Sequence, residues 1–227
     1  MSAVPGDGRP QVTLKVATSL DGRIALANGK SKWITGEEAR AEVHRLRAGH
    51  DAVLTGSGTV LADDPELTAR TDPPSERQPM RILADGRGRV PGFARLFRSA
   101  DLGQVSVATL ETTDIDAHDW PTHRNVHYWM LPPGEDGHLS LPFLMAACAG
   151  SGVGSILLEC GGRLAASFVQ AGLVDRIEWF RAPIILGGDG KPCLEALGLE
   201  SLDAAPTFTR VAVREAGRDL WESYERA

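Results

Sequence analysis

Apolar and polar positions along this chain alternate in short blocks. Val12 to Ala17 (VTLKVA) is apolar but for one lysine and reads as a buried strand, followed by a loop from Ser19 to Lys32 rich in Gly, Asn, Lys and Ser. Thr35 with Glu38 three residues on is a capping-box signature, so a helix is predicted to begin there and run to about Ala48, with Ala39, Val43 and Leu46 at helical spacing. Asp51 to Thr55 is a second apolar strand, and Gly56-Ser57-Gly58 opens a short helix over Thr59 to Ala62.

Turn chemistry fills Arg70 to Gln78, and strands are predicted at Met80 to Ala84, Val105 to Leu110 and Val126 to Leu131. Leu141 to Ala149 is a small apolar helix. Ser155 to Glu159 (SILLE) is a strand that runs into Gly161-Gly162, after which Arg163 to Ala171 fits a helix ended by Gly172. Arg176 to Arg181 and Thr207 to Val213 read as strands, with Leu220 to Tyr224 as a last edge strand. No period repeats and no segment has the bias of a linker. The pattern predicts one α/β domain over residues 1–227, with a polar tail at 1–10, a largely parallel sheet and a strand-rich C-terminus.

Composition narrows the function classes. The 227 residues carry a formal charge of −6, which argues against a nucleic-acid surface, since no run of Lys and Arg marks one face. A phosphate held by this protein must therefore be held by a few placed cations. Cys148, Cys160 and Cys193 are odd in number and widely spaced, the pattern of reduced cytosolic thiols. No apolar stretch approaches the ~20 residues of a membrane span, and the N-terminal residues lack the form of a signal peptide, so the cytoplasm is the expected location.

Chemistry concentrates where strands end. A strand that ends in glycines before a helix leaves unpaired N–H groups that suit the pyrophosphate of a cofactor, and this chain offers two such turns; glycine also ends strands for steric reasons. Glu159 closes an apolar strand, where a carboxylate is costly to bury without a partner or a task, and strand C-termini are where ligands bind in open α/β sheets. The alternative is a buried Glu bonded to a neighbouring backbone N–H. Lys15 poses the same question with opposite sign, against the alternative of a snorkelling edge-strand lysine. Asp63-Asp64-Pro65 suits metal or acid–base work, or simply stops a helix. His118, His123 and His127 fall in a polar stretch where neither Cys nor a second acid completes a site, so they read as surface histidines and no metal site is expected.

The run VTLKVATSLDGRIALANGKSKWITGEEARAEVHRLRAGHDAVLTGSGTVLADDPELTAR resembles the reductase domain of the bifunctional riboflavin-biosynthesis deaminase-reductases. ILLECGGRLAASFVQAGLVDRI, followed by APIILGGDGKP, resembles the cofactor and closing segments of the same family in the same order. The resemblance implies a dihydrofolate-reductase-like fold, usually a homodimer, that uses NADPH to reduce the ribosylamino group of a phosphorylated pyrimidine, 5-amino-6-(5-phosphoribosylamino)uracil, to the ribitylamino product. It implies substrate contacts at Ser31, Arg47, Leu67, Arg70 and Glu159. It implies NADPH contacts at Ala17, Trp33, Thr59, Asp63 and the turn Gly161, Gly162, Arg163, Leu164, Ala165, Ala166, Ser167.

With that substrate the residue types make chemical sense. Arg47 and Arg70 would take the phosphate, Trp33 would wall the pocket, and Lys15 and Glu159, as the catalytic candidates, would orient the ribityl hydroxyls and manage the proton that accompanies hydride. Two departures stand out. The middle strand of the family commonly ends Asp-Ser before an Arg, with the Ser near the cofactor. Here Asp85 is followed by Gly86 in that cofactor position, and Arg87 and Arg89 become candidates for the NADPH 2′-phosphate, or a solvated loop. The zinc-deaminase pattern of HxE followed by PCxxC is absent, so a separate deaminase is expected. The rival readings are another NADPH reductase of the same fold acting on a different pterin or pyrimidine, and a nucleotide-binding module without turnover.

Overall fold

The computed structural model describes residues 8–227. The tail expected over residues 1–10 lies outside the described residues as far as residue 7; of its remainder, Pro10 is buried. In chain order the strands and helices are β1 (Gln11–Thr18), β2 (Arg23–Ala25), α1 (Glu37–Gly49), β3 (Ala52–Gly56), α2 (Ser57–Asp63), β4 (Met80–Ala84), α3 (Arg95–Arg98), β5 (Val105–Leu110), β6 (Val126–Leu131), α4 (Leu141–Gly150), β7 (Ser155–Leu158), α5 (Gly162–Gln170), β8 (Arg176–Arg181), β9 (Lys191–Pro192), β10 (Phe208–Ala216) and β11 (Asp219–Arg226). The residues group into two compact units where the sequence pattern predicts one domain. One holds the residues up to Gln11 with His44–Leu157, the other Val12–Val43 with Leu158–Ala227.

In the first unit the strand order is β7-β3-β4-β5-β6. The pairs β3–β4, β4–β5 and β5–β6 are all parallel, with Val53 beside Arg81, Leu83 beside Val107 and Val107 beside Tyr128. Parallel strands covered on both faces read as continuous apolar runs, and β5 (VSVATL) is buried at every position. One face of these strands packs Val53, Leu83 and Val107 with Leu96, Phe97 and Leu157 into a single core.

The second unit has the order β10-β11-β8-β1, with β1–β8 parallel and the two outer pairs antiparallel. The expected α/β architecture, mostly parallel, flanked by helices and strand-rich at its C-terminus, is the one observed. The last strand departs from expectation: β11 is not an edge but lies between β8 and β10. Gly217, at φ +64, lets the chain fold back, so β10 takes the outer place, where its largely exposed side chains are tolerated. The β2–β9 ladder went unpredicted because segments of two and three residues carry no period.

Helix α1 begins at Glu37 rather than as the Thr35 capping box implies. The Asp219 carboxylate accepts the Gly36 N–H at 2.5 Å, while the Thr35 carbonyl accepts from the Arg40 guanidinium. Glu37 and Glu38 in the first turn and Arg47 in the last complement the helix dipole.

Candidate active site

In the second unit, Lys15 and Ala17 share one face of β1, at alternate positions less buried than their neighbours. Glu159 follows β7 directly, at the end of its four-residue run SILL. The Lys15 Nζ lies 3.8 Å from Glu159 Oε2, with only 17% and 10% of the two side chains exposed. The separation is that of an ion pair looser than a hydrogen bond, in a place where water screens poorly. Beside Lys15 across the parallel ladder stands Glu178, also buried. Its carboxylate accepts from Arg176 Nε at 2.6 Å, Trp221 Nε1 at 2.5 Å and Ser223 Oγ at 2.6 Å.

Two residues after Glu159, Gly161 caps α5 and, as a glycine, offers the helix N-terminus no side chain of its own. A Cβ on Gly161 would meet open space, whereas one on Gly162 would meet the Pro192 carbonyl at 2.6 Å, so the first glycine leaves room and the second secures close packing. Within the turn Ala165 and Ala166 face the core, while Arg163 is exposed and Leu164 and Ser167 are half-buried. The Ser167 hydroxyl donates back to the Arg163 carbonyl at 3.1 Å. Half-buried Cys160 has its thiol pushed upward first by desolvation and then by the Glu159 charge, which makes it a poor nucleophile. Ser31 is half-buried, and Trp33 is 66% exposed with the Arg40 guanidinium 4.5 Å above its ring.

The first unit carries the remaining residues. Arg47 Nη1 donates to the Thr68 carbonyl at 3.1 Å and Arg70 Nη1 to the Thr68 hydroxyl at 3.2 Å, so both guanidiniums converge on one residue. His44 Nδ1 sits 3.2 Å from both the Thr68 carbonyl and the Arg70 backbone nitrogen. Leu67 has a positive φ of 59° and a side chain sunk in the core, so its backbone is the part a ligand can meet. Thr59 and Asp63, both half-buried, lie on α2. Asp64 is its left-handed C-cap and accepts the Arg95 N–H at 2.8 Å, the structural use that the DDP triplet allowed.

At the end of β4, the Asp85 carboxylate accepts the Val90 N–H at 2.7 Å and holds the intervening loop. Gly86 is half-buried, and a Cβ there would meet Leu139 at 3.0 Å, which accounts for glycine where the family pattern has serine. Arg89 donates to Ser57 Oγ at 2.6 Å, at the start of α2, while Arg87 is exposed. The histidines stay apart from these groups: His118 stacks on Trp120, His123 pairs with Asp101 at 3.2 Å and His127 is exposed.

Three features lie outside the residues singled out from the sequence. Arg81 is fully buried in β4 and bonds the Glu66, Leu96, Ser99 and Gly103 carbonyls and the Ser99 hydroxyl. Glu66 pairs with Arg70 at 3.4 Å and closely with Arg95. Asp21 accepts from Ser19 Oγ at 2.6 Å, Leu186 N at 3.1 Å and Gly187 N at 2.8 Å, which ties the loop after β1 to the GGDG loop. A lysine in VTLKVA draws notice by the same logic that applies to the arginine in MRILA, so Arg81 was open to discovery. Asp21, two residues after Ser19, carries only the local signal of a polar turn.

Residues 10–221 match the RibD C-terminal domain. The chain belongs to this family. The Riboflavin biosynthesis protein RibD of Escherichia coli (strain K12) is 38% identical to it over 224 residues, covering 94% of this chain and 59% of that protein. A solved RibD structure from Acinetobacter baumannii superposes with a TM-score of 0.80 at 31% identity, over 97% of this chain and 59% of that one. A diaminohydroxyphosphoribosylaminopyrimidine deaminase/5-amino-6-(5-phosphoribosylamino)uracil reductase from Thermotoga maritima gives a TM-score of 0.81 at 29% identity, over 97% of this chain and 58% of that one. The chain thus spans under two thirds of the length of these members of the family. No helix among the described residues is long and apolar enough to cross a membrane.

Proposed function

We propose that this chain is an NADPH-dependent reductase of riboflavin biosynthesis, which converts 5-amino-6-(5-phosphoribosylamino)uracil to its ribitylamino counterpart. The observation that carries the reading is the buried Lys15–Glu159 pair, at 3.8 Å, two residues before the glycine turn that opens α5. Similarity to relatives named for this pathway and, in one case, for this reduction supports the substrate class.

The residues present fit a nicotinamide dinucleotide. In the second unit Gly161 leaves open space at the N-terminus of a nine-residue helix, a place suited to an anionic group; in the first, Arg89, held at Ser57, is a cation suited to a phosphate. When bound, NADPH supplies the hydride. The open-chain imine form of the ribosylamine would accept that hydride at C1′ and a proton at its nitrogen, which balances the reduction. Glu159 holds the sugar hydroxyls, and Lys15 orients them and relays the proton. Arg47 and Arg70 hold the phosphate with Ser31 and the Leu67 backbone. Trp33 closes the pocket against water.

The reading extends to residues 1–227 acting as one reductase domain, to a homodimer and to the cytoplasm. Deamination of the pyrimidine falls to a different segment or protein. Spectrophotometric assay of cofactor oxidation with this pyrimidine and its undeaminated precursor tests the proposal. Turnover of the first with NADPH, and a clear loss of efficiency with NADH, is expected. Absence of turnover with both, or equal efficiency with NADH, contradicts it.

A further inference from the structure

Near the Arg70 end of the first unit lies an open cavity of about 300 Å³ lined by Glu66, Arg95, Arg98 and Ser99. Its charge is unusual for a chain with a formal charge of −6. Arg95 and Arg98 stand on its wall. Beneath it the buried Arg81 donates to Ser99 Oγ at 2.7 Å, which brings a third guanidinium to its floor. Arg81 has no ion pair among the described residues; burial lowers its pKa to about 10, still far above neutrality, so it adds a full positive charge.

The one carboxylate in the lining, Glu66, is divided between two arginines. Its Oε1 pairs with Arg95 and its Oε2 with Arg70 at 3.4 Å. Asp64 is close by, but its Oδ1 is engaged by the Arg95 backbone N–H. Arg98 is exposed; its backbone N–H donates to the Ala94 carbonyl at 3.1 Å, while its guanidinium makes no hydrogen bond or ion pair among the described residues. An open hollow with a free guanidinium, a second held in place by a shared carboxylate and a third below the floor has the donors for a dianion.

We infer that this cavity is a phosphate-monoester site, with Arg98 and Arg95 as its ligands and Glu66 as the counter-ion that keeps Arg95 in position until the anion arrives. It is separate from the Arg47–Arg70–Thr68 cluster, because Glu66 stands between Arg70 and Arg95. Arg95 drawn to the anion frees Glu66 to close on Arg70, so occupancy of the cavity weakens the hold of Arg70 on a second phosphate. The assignment of Arg70 to the substrate rests on the proposed function; the cavity's own affinity for phosphate does not. The phosphate comes from a free phosphorylated metabolite, because the substrate's own phosphate is placed at Arg47 and Arg70.

Equilibrium binding of inorganic phosphate to the intact protein, followed by ³¹P NMR at low ionic strength, tests the inference without turnover. Two classes of site are expected, one weakened about tenfold or more by Arg98→Ala and the other by Arg70→Ala. A substrate KM unchanged in Arg98→Ala is expected; a KM raised to a similar degree would give the cavity to the substrate's own phosphate and overturn a separate site. An Arg98→Ala isotherm that superimposes on the wild type, or loss of all phosphate binding in Arg70→Ala alone, overturns the site. The proposed reductase activity can stand or fall separately, since it is read by cofactor oxidation.

Discussion

The two units bury positive charge in opposite ways. In the first, Arg81 is fully buried but spends its guanidinium on four backbone carbonyls and a serine hydroxyl, with only Nε left over. In the second, Lys15 keeps some exposure and faces the Glu159 carboxylate at 3.8 Å, beyond a good hydrogen bond. The arginine is a cross-link among the loop at Glu66, helix α3 and the turn at Gly103. The lysine and glutamate face each other side by side, each with some side-chain surface open to solvent. A buried charge tied into the backbone marks architecture, and one set loosely against its partner marks chemistry.

The largest expected effect breaks the first half of that contrast. Arg81→Met leaves several buried carbonyls unpaired and should destabilise the fold by about 3–5 kcal/mol, measured by urea unfolding, while the kcat of the folded fraction stays near wild type. A stable Arg81→Met protein with lost activity would reverse the assignment.

Next come the Lys15–Glu159 variants, which break the other half. Lys15→Met should lower kcat on the order of 10²-fold with a melting temperature within a few degrees of wild type. Glu159→Gln should lose little by comparison, because the amide still bonds sugar hydroxyls. Glu159→Ala should be much worse because it leaves them unpaired. Full activity in Glu159→Ala would remove the residue from the site, and collapse of its thermal melt would make it structural after all.

Arg70→Ala sharpens the comparison by removing an exposed cation that holds no architecture together. It should weaken substrate binding by roughly 1.5–3 kcal/mol, with NADPH affinity nearly unchanged. An unaltered KM for the phosphorylated substrate would move the phosphate elsewhere.

The smallest effect concerns a charge that serves loops. Ser19, then Leu186 and Gly187, hold the Asp21 carboxyl from its ordinary 3.8 down to about 2. A depressed pKa means that its contribution is complete above the unfolded value and disappears as pH falls from 3.8 to about 2. Hydrogen exchange at the Gly187 amide should stay slow down to that window and then accelerate. Asp21→Asn should exchange faster at neutral pH and show a weaker acid dependence; identical exchange in both proteins would remove Asp21 as the tie.

Much of this contrast is legible in the residues. The strands at 80–84, 105–110, 126–131 and 176–181 have the limits their sequence runs predict; the one at 105–110 is buried throughout, and polar turns bound the others, including 126–131 with its exposed His127 and Met130. Lys15 and Glu159 are legible as charges in apolar strands. Less legible are features made by distant segments: Asp219 at the start of α1, the return of β10 to the outside of β11, and the Asp21 tie to the GGDG loop. Arg81 falls between the two classes. Its place in MRILA marks a buried charge, but only the carbonyls gathered from residues 66, 96, 99 and 103 separate an architectural charge from a chemical one.

Isotope transfer tests the central claim most directly. The protein is incubated with the ribosylaminopyrimidine phosphate and NADPH deuterated at the transferable C4 position, and the product is analysed by mass spectrometry and NMR. The account predicts a ribitylamino product that carries a single deuterium at C1′, formed by wild type and nearly lost in Glu159→Ala. Recovered substrate without deuterium, or label at any other carbon, would contradict it.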